Sequence, residues 1–122
     1  MILRSGVNIS FPWRLQVGDH VWIGEGVRIL SLAEVTIGSH VCISQEAFLC
    51  TGLHDAQRDS FDLITRPITI ESETWIAARA FVGPGVTIGA ESVIGAGAVI
   101  VKAIPPRSLA VGNPAQIKSR TK

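Results

Sequence analysis

Aliphatic residues recur at every sixth position along most of this chain. The register is clearest in "IGEGVR", Ile23 to Arg28, where an aliphatic lead residue is followed by glycine. The fifth position of each hexapeptide is also apolar or small, as at Val27 and Leu53. All lead positions are Ile, Leu or Val: Val17, Ile23, Ile29, Ile37, Ile43, Leu49, Ile70, Ile76, Val82, Ile88, Ile94 and Ile100.

A spacing of six fits neither an α-helix, with its period of 3.6, nor a simple alternating strand. A strand would also make the third position apolar, but that position is polar at Asp19, Glu25 and Gln45. The chain must therefore turn within each hexapeptide, so that three short strands and glycine-eased corners form a triangular coil of about 18 residues. Stacked coils bury the lead and fifth positions. The pattern predicts an all-β parallel β-helix of about four to five triangular coils rather than a β-sandwich.

The repeat is interrupted once, in "CTGLHDAQRDSFDLITRP", residues 50–67. Loops on rigid scaffolds are where function concentrates, so we expect this break to frame His54. The predicted organisation is a single domain, 1–122, with the following parts: a partial N-terminal coil 1–16, coils 17–54, an extruded loop 55–67, coils 68–105 and a C-terminal tail 106–122.

Composition excludes several classes of protein. A hydrophobic content of 47% and a net charge of +1 argue against disorder and against a basic nucleic-acid-binding surface. No apolar run approaches the ~20 residues of a membrane span. Cys42 and Cys50 lack metal-ligand spacing and hold different hexapeptide positions, so we expect unpaired thiols. The expectation is a soluble, cytoplasmic protein that binds no nucleic acid and does not span a membrane.

Several runs carry a family resemblance. "VTIGSHVCIS" and "VGPGVTIGAESVIGAGAVI" resemble the hexapeptide-repeat acyltransferases. "CISQEAFLCTGLHD", "RPITIESETWIAARAFVGPGVTIG" and "VGNPA" are similar to acetyltransferases assigned to colanic acid biosynthesis, and more broadly to maltose, galactoside and nodulation-factor O-acetyltransferases. The resemblance covers Val17 to Ala115. It implies a left-handed coil, a homotrimer, and acetyl transfer from acetyl-CoA to a hydroxyl of a sugar, oligosaccharide or polysaccharide precursor, with no metal.

Acetyl transfer to a hydroxyl requires a base, and imidazole, with a reference pKa of ~6.5, suits that role near neutral pH. The resemblance of "TGLHD" to the histidine loop of these enzymes implies that His54 is the base, at a subunit interface. The group that orients the imidazole stays open. Asp55, a backbone carbonyl, and the loop carboxylates of Asp59 or Asp62 are the alternatives.

The resemblance also implies where acetyl-CoA binds, in a groove between two subunits along the later coils. Trp75 would wall the active site, and the backbone amide of Ala78 would meet the pantetheine or thioester end. Gln116 stands where relatives often carry a basic residue, so other cations would have to approach the phosphates. The expected cofactor contacts are Trp75, Ala78, Ala96, Val101, Lys102, Lys118 and Arg120, and the expected acceptor contacts are Glu25, Ser31 and Asp55.

Two other functions compete with this interpretation. The fold also serves non-catalytic scaffold or trimerisation modules, and the repeats begin almost at the first residue, as in a fragment or a short variant. A zinc-dependent γ-class carbonic anhydrase is the second alternative, because His20 and His40 should stack ~4.8 Å apart on adjacent coils. Catalytic zinc wants three protein ligands, however, and His54 lies at a different corner.

Overall fold

The computed structural model describes residues 1–119, which form short strands in three parallel sheets. The one helical segment among these residues is a 3-10 turn, Pro12–Arg14, so no helix there could cross a membrane. The strands are β1 (Ile2–Leu3), β2 (Asn8–Ile9), β3 (Leu15–Val17), β4 (Trp22–Ile23), β5 (Arg28–Leu30), β6 (Val35–Ile37), β7 (Cys42–Ile43), β8 (Phe48–Cys50), β9 (Gly52–His54), β10 (Leu63–Thr65), β11 (Ile68–Ile70), β12 (Trp75–Ile76), β13 (Phe81–Val82), β14 (Thr87–Ile88), β15 (Val93–Ile94), β16 (Val99–Ile100), β17 (Ser108–Gly112) and β18 (Ala115–Ser119).

Each coil contributes one strand to each face of a triangular prism. The first face is β1-β4-β7-β12-β15-β17, the second is β2-β5-β8-β13-β16, and the third is β3-β6-β11-β14. Strand β18 turns back and pairs antiparallel with β17 at the end of the first face. The predicted fold class, a left-handed parallel β-helix, is confirmed.

The core consists of the stacked lead and fifth positions. Ile23, Ile43, Ile76 and Ile94 lie in register along the first face and are fully buried. Burial of one such side chain stabilises the fold by about 1.5–3 kcal/mol. Because a single coil cannot enclose its own apolar side chains, this stabilisation arises only when neighbouring coils stack.

The sequence led us to expect glycine at the tight turns of the coil corners, but most of these turns use other residues. Positive φ angles occur at the fourth hexapeptide position and mostly on other residues, such as His20 (57°), His40 (58°) and Glu73 (61°). The glycines after the lead residues serve close stacking instead. A Cβ on Gly38 would lie 2.7 Å from the backbone nitrogen of Ser72 in the next coil.

The interruption begins earlier than predicted. The chain leaves the third coil at Gly52, and β9 pairs antiparallel with β10 to form a hairpin. Leu53, expected to point inward as a fifth-position residue, is therefore 44% exposed, and that prediction is wrong. The chain rejoins the third face at β11, whose Ile68 is fully buried. The hairpin and its tip, residues 52–65, are called the histidine hairpin below.

The outward rows of the three faces differ in character. On the third face the outward row is Gln16, Thr36, Thr69 and Thr87. On the first face the row is Ile2, Trp22, Cys42, Trp75, Val93 and Leu109. On the second face it is Asn8, Arg28, Phe48, Phe81 and Val99. The third face is thus polar, whereas the first face and the upper part of the second are apolar.

Candidate active site

His54 is the last residue of β9 and is exposed. Its Nδ1 lies 2.9 Å from the carbonyl oxygen of Phe61, and its ring stacks on the Phe61 ring at 4.7 Å with 12° between the planes. A carbonyl can only accept a hydrogen bond, so Nδ1 must carry the proton. Nε2 then keeps its lone pair and is available as a base.

The histidine hairpin is held by contacts of its own. Arg58 forms ion pairs with Asp55, at 3.3 Å, and with Asp62, at 3.8 Å. The backbone N–H of Asp55 donates to the carbonyl of Asp62, and that of Phe61 donates to the carbonyl of Arg58. Phe61 adopts a positive φ of 52°, which is unusual for a bulky residue. These contacts place both the ring and the carbonyl of Phe61 against His54.

The orienting group that the sequence left open is therefore a backbone carbonyl, that of Phe61. Asp55 holds the hairpin instead, because its Oδ1 accepts a hydrogen bond from the N–H of Gln57 and its other oxygen pairs with Arg58. No contact of Asp59 with His54 is found in residues 1–119. Phe61 was missed from the sequence, where an aromatic residue in a polar run was the only signal.

Ser31 does not face solvent. It is fully buried, and its hydroxyl accepts from the N–H of Phe11 at 3.1 Å and donates to the carbonyl of Phe11 at 3.0 Å. Thr51, one coil further on, is equally buried, and its hydroxyl donates to the carbonyl of Leu30 at 2.6 Å. Ser31 therefore ties coils together at the corner below the hairpin, and we leave it out of the acceptor site.

Trp75 lies on the first face, above Cys42 in the stack of strands. Its Nε1 donates to the hydroxyl of Ser44 at 2.8 Å, which fixes an indole that is still 49% exposed. Burial raises the pKa of the Cys42 thiol, and a hydrogen bond with Ser44 opposes that shift. Ser44 was not singled out from the sequence, because its partner belongs to the next coil. Cys42 and Cys50 are both free thiols, as expected.

Ala78 and Ala96 occupy the corner between the first and second faces, one above the other. The N–H of Gly97 donates to the carbonyl of Ala78, so the two turns stack directly. Their own N–H groups donate to no other group among residues 1–119. At the corner after the third face, by contrast, the N–H of Ser39 donates to the Ser72 hydroxyl. The Ala78 corner thus presents two unpaired donors beside small side chains.

A depression of about 220 Å³ lies above this level, at the C-terminal end of the second face. Its walls include Val101 and Lys102 from the last coil, and Pro114 and Ile117 from the β17–β18 hairpin. Lys118 is exposed on β18 and pairs with Leu109 across the hairpin. Arg120, the remaining cation expected near the phosphates, lies outside the described residues.

Glu25 lines a second depression, of about 320 Å³, on the lower part of the first face. Trp22 and Gln45 form its walls with Arg4, whose guanidinium lies 3.7 Å from the Glu25 carboxylate. Gln45 stands directly below Ala78, because its carbonyl accepts the N–H of Arg79. The depression therefore opens next to the corner that carries the unpaired amides.

These groups do not all meet within one chain. The histidine hairpin leaves the prism between the second and third faces, which is the corner opposite the first face. Trp75, Glu25 and the Ala78 corner lie on or beside the first face. A site that uses His54 together with Trp75 would therefore need two copies of the chain.

His20 and His40 do stack, as expected, with ring centroids 5.0 Å apart and 19° between the planes. They lie at the corner after the third face, away from the hairpin. Within residues 1–119 no cluster of three or more His, Cys, Asp or Glu residues could hold a metal ion.

Comparison with known proteins assigns this architecture to a family. Residues 67–102 match the bacterial transferase hexapeptide pattern (six repeats). A hexapeptide-repeat acetyltransferase from Vibrio cholerae, solved with acetyl-CoA, is 31% identical with a TM-score of 0.88, over 98% of this chain and 72% of that one. The chain belongs to the hexapeptide-repeat acetyltransferases.

Individual relatives point in the same direction. WcaF of Escherichia coli K12, named as an acetyltransferase of colanic acid biosynthesis, is 42% identical over 96% of this chain and 64% of its own length. A maltose O-acetyltransferase from Clostridium difficile is 30% identical with a TM-score of 0.92, over 100% of this chain and 67% of that one. The chain thus spans somewhat less than two thirds of the WcaF sequence.

Proposed function

We propose that the protein is an O-acetyltransferase that moves an acetyl group from acetyl-CoA to a hydroxyl of a sugar or polysaccharide precursor. The observation that carries the proposal is His54, whose Nδ1 is held by the Phe61 carbonyl so that Nε2 is free to take a proton. A base held in one tautomer, on an exposed hairpin of a rigid scaffold, is what attack by a hydroxyl on a thioester requires.

The Ala78 corner is suited to binding acetyl-CoA, the acetyl donor of this reaction. Its unpaired backbone N–H groups can donate to the thioester carbonyl and to the amides of pantetheine, and to the oxyanion as it forms. The depression at Val101 and Lys102 continues in the same direction toward the C-terminal end. Lys118 is a second positive charge at this end of the prism, on the first-face side of β18. Acetyl-CoA would thus extend from Ala78, past Ala96, toward the lysines at the C-terminal end of the prism.

A homotrimer would bring the histidine hairpin of one subunit to the Ala78 corner of the next. The outward rows of the first and second faces are largely apolar, and that of the third face consists of Thr and Gln. The first two faces are therefore suited to contact with other subunits, and the third to exposure to solvent. If the three-fold axis of the trimer runs parallel to the prism axis, corresponding coils of the three subunits lie at the same height along it. His54 of one subunit would then be level with Gln45 of the next, about one strand spacing, ~4.8 Å, below Ala78.

The acceptor would enter from below this level. Glu25 and Gln45 line the lower depression together with the exposed indole of Trp22, a combination of hydrogen-bonding groups and a flat apolar surface that suits a sugar ring. Its hydroxyl would meet Nε2 of the neighbouring His54, with the thioester held above. Asp55 contributes to this site by holding the hairpin through Arg58.

The proposal is tested by thiol release from acetyl-CoA against a panel of sugars and nucleotide sugars, with mass spectrometry of the products. Release that depends on a sugar, together with an acetylated sugar, is the expected result. Light scattering should give the mass of a trimer. A trimer that releases no thiol with any acceptor would identify a scaffold instead, and zinc found by metal analysis of the purified protein would favour the anhydrase alternative.

A further inference from the structure

An exposed tryptophan lies on the same corner of the prism as the histidine hairpin. Trp13 is 74% exposed and belongs to the turn between β2 and β3, in the first coil. The histidine hairpin leaves from the equivalent corner of the third coil. Two strand spacings, about 10 Å, therefore separate Trp13 from the base of the hairpin along the prism.

Trp13 is held by contacts of its turn despite its exposure. Pro12 opens its 3-10 turn, which the N–H of Arg14 closes on the carbonyl of Phe11 at 2.9 Å. The Phe11 ring packs edge-to-face on the indole, with centroids 5.3 Å apart. The Arg14 guanidinium donates to the carbonyl of Leu32 in the next coil. A fixed indole loses little conformational entropy when a ligand packs on it, which favours binding.

An apolar strip connects Trp13 to the catalytic end of the hairpin. Leu63 lies opposite His54 in the β9–β10 pair, so their side chains share one side of the hairpin. A Cβ on Gly52, on that same side, would lie 2.8 Å from Cδ1 of Leu32 and 3.7 Å from Cδ1 of Leu63. Leu32 therefore lies beside the base of the hairpin, and its carbonyl accepts a hydrogen bond from Arg14 in the turn of Trp13. The strip is defined by His54, Leu63, Leu32 and Trp13.

We infer that this strip binds the remainder of an oligosaccharide acceptor, with the apolar face of a distal sugar on the indole of Trp13. The inference rests on the proposed function, in which the reacting hydroxyl lies at His54. The base of the hairpin lies about two strand spacings, ~10 Å, from the turn of Trp13, and His54 lies two residues further out along β9. Trp13 would therefore contact a sugar beyond the acetylated one. The substrate class is therefore an oligosaccharide or a glycan repeat rather than a free monosaccharide.

The test compares kcat/KM for gluco- and galacto-configured mono-, di- and trisaccharides in the wild type, Trp13→Ala and Trp13→Phe. We expect the wild type to favour the longer acceptors by about three- to tenfold through KM, the worth of one aromatic contact. Trp13→Ala should lose that preference and keep its kcat/KM for the monosaccharide, and Trp13→Phe should restore most of it. Thr87→Ala, on the polar third face, is the matched control.

Equal kcat/KM of the wild type for one, two and three sugars would overturn the inference. So would a Trp13→Ala variant that dissociates the trimer, since that result would make Trp13 a subunit contact. If no sugar is acetylated, the proposed function fails, and a binding measurement then decides the inference alone. Calorimetric titration should then show a trisaccharide binding more tightly to the wild type than to Trp13→Ala, with no such difference for a monosaccharide.

Discussion

The carbonyl of Phe61 determines which ring nitrogen of His54 carries the proton. Because the Phe61 carbonyl holds Nδ1–H, the imidazole does not need a carboxylate to fix its tautomer. The stacked Phe61 ring also restricts rotation of the imidazole. Nearby carboxylates, Asp55 and Asp62, are engaged with Arg58 instead. At the residue scale, the orientation of the proposed base therefore depends on the backbone conformation of the hairpin tip.

His54→Ala should lower kcat by about 10²–10⁴, which is the usual contribution of a positioned general base. The fold and the trimer should persist, since the side chain is exposed and fills no inward position. Binding of acetyl-CoA should also persist, because the Ala78 corner and the upper depression lie elsewhere. Thiol-release kinetics and calorimetric titration with CoA measure these effects.

The pH dependence provides the control for this substitution. Any rise of the wild-type rate with pH should be absent from His54→Ala, because that variant has no general base to accept the proton of the hydroxyl. His20→Ala and His40→Ala should behave as wild type, since their stacked rings lie at another corner. Near-full activity in His54→Ala combined with loss of activity in His40→Ala would contradict the assignment of the base.

At the scale of the structural element, the glycines set how closely two coils can approach. A Cβ on Gly38 would meet the backbone of Ser72, whereas a Cβ on Gly83 would meet no atom closer than 3.4 Å. Gly38→Ala should therefore destabilise the fold by about 1–3 kcal/mol through overpacking. Gly83→Ala is the matched control. Equal midpoints of urea unfolding for the two variants would show that stacking tolerates the methyl group.

The histidine hairpin should respond to loss of its central cation. Arg58→Gln removes the ion pairs to Asp55 and Asp62, both exposed enough that each contributes at most about 1 kcal/mol. Global stability should barely change, but the hairpin should open more often, with faster hydrogen exchange in residues 52–65. A lower kcat should accompany it, because Phe61 would hold His54 less firmly. Unchanged exchange in this segment would show that Arg58 is dispensable.

The hexapeptide period was sufficient to predict the faces and most of the inward residues. Once the coils stack, the position of a residue within its hexapeptide decides whether its side chain points into the prism. The period misplaced Leu53, because the chain leaves the coil at Gly52 to pair β9 with β10, and that pairing involves residues outside the repeat. It also could not show that Ser31 is buried against Phe11, or that Phe61 would hold His54. Those contacts join different coils or the two ends of a loop, and no periodic pattern encodes them.

At the scale of the whole molecule, the distribution of apolar surface agrees with the proposed trimer. The first face and the upper second face leave Trp22, Trp75, Phe48 and Phe81 on their outer surfaces, whereas the outward row of the third face is polar. A ring of three subunits would cover the two apolar faces and leave the polar one in water. The same ring would place His54 of one subunit against the first face of another.

A mixing experiment tests this shared site. His54→Ala lacks the base, and Ala78→Trp should block the amides of the corner with a bulky side chain, so each homotrimer should be inactive. If every site takes its base from one subunit and its corner from the next, a mixed population should regain activity. Random assembly of equal amounts gives a working site where an intact base meets an intact corner, in about a quarter of all sites. Unfolding and reassembling the mixture, with each variant alone as the control, provides the measurement. Activity that stays at the level of the separate variants, although mass spectrometry shows mixed trimers, would mean that each chain uses its own histidine and its own corner.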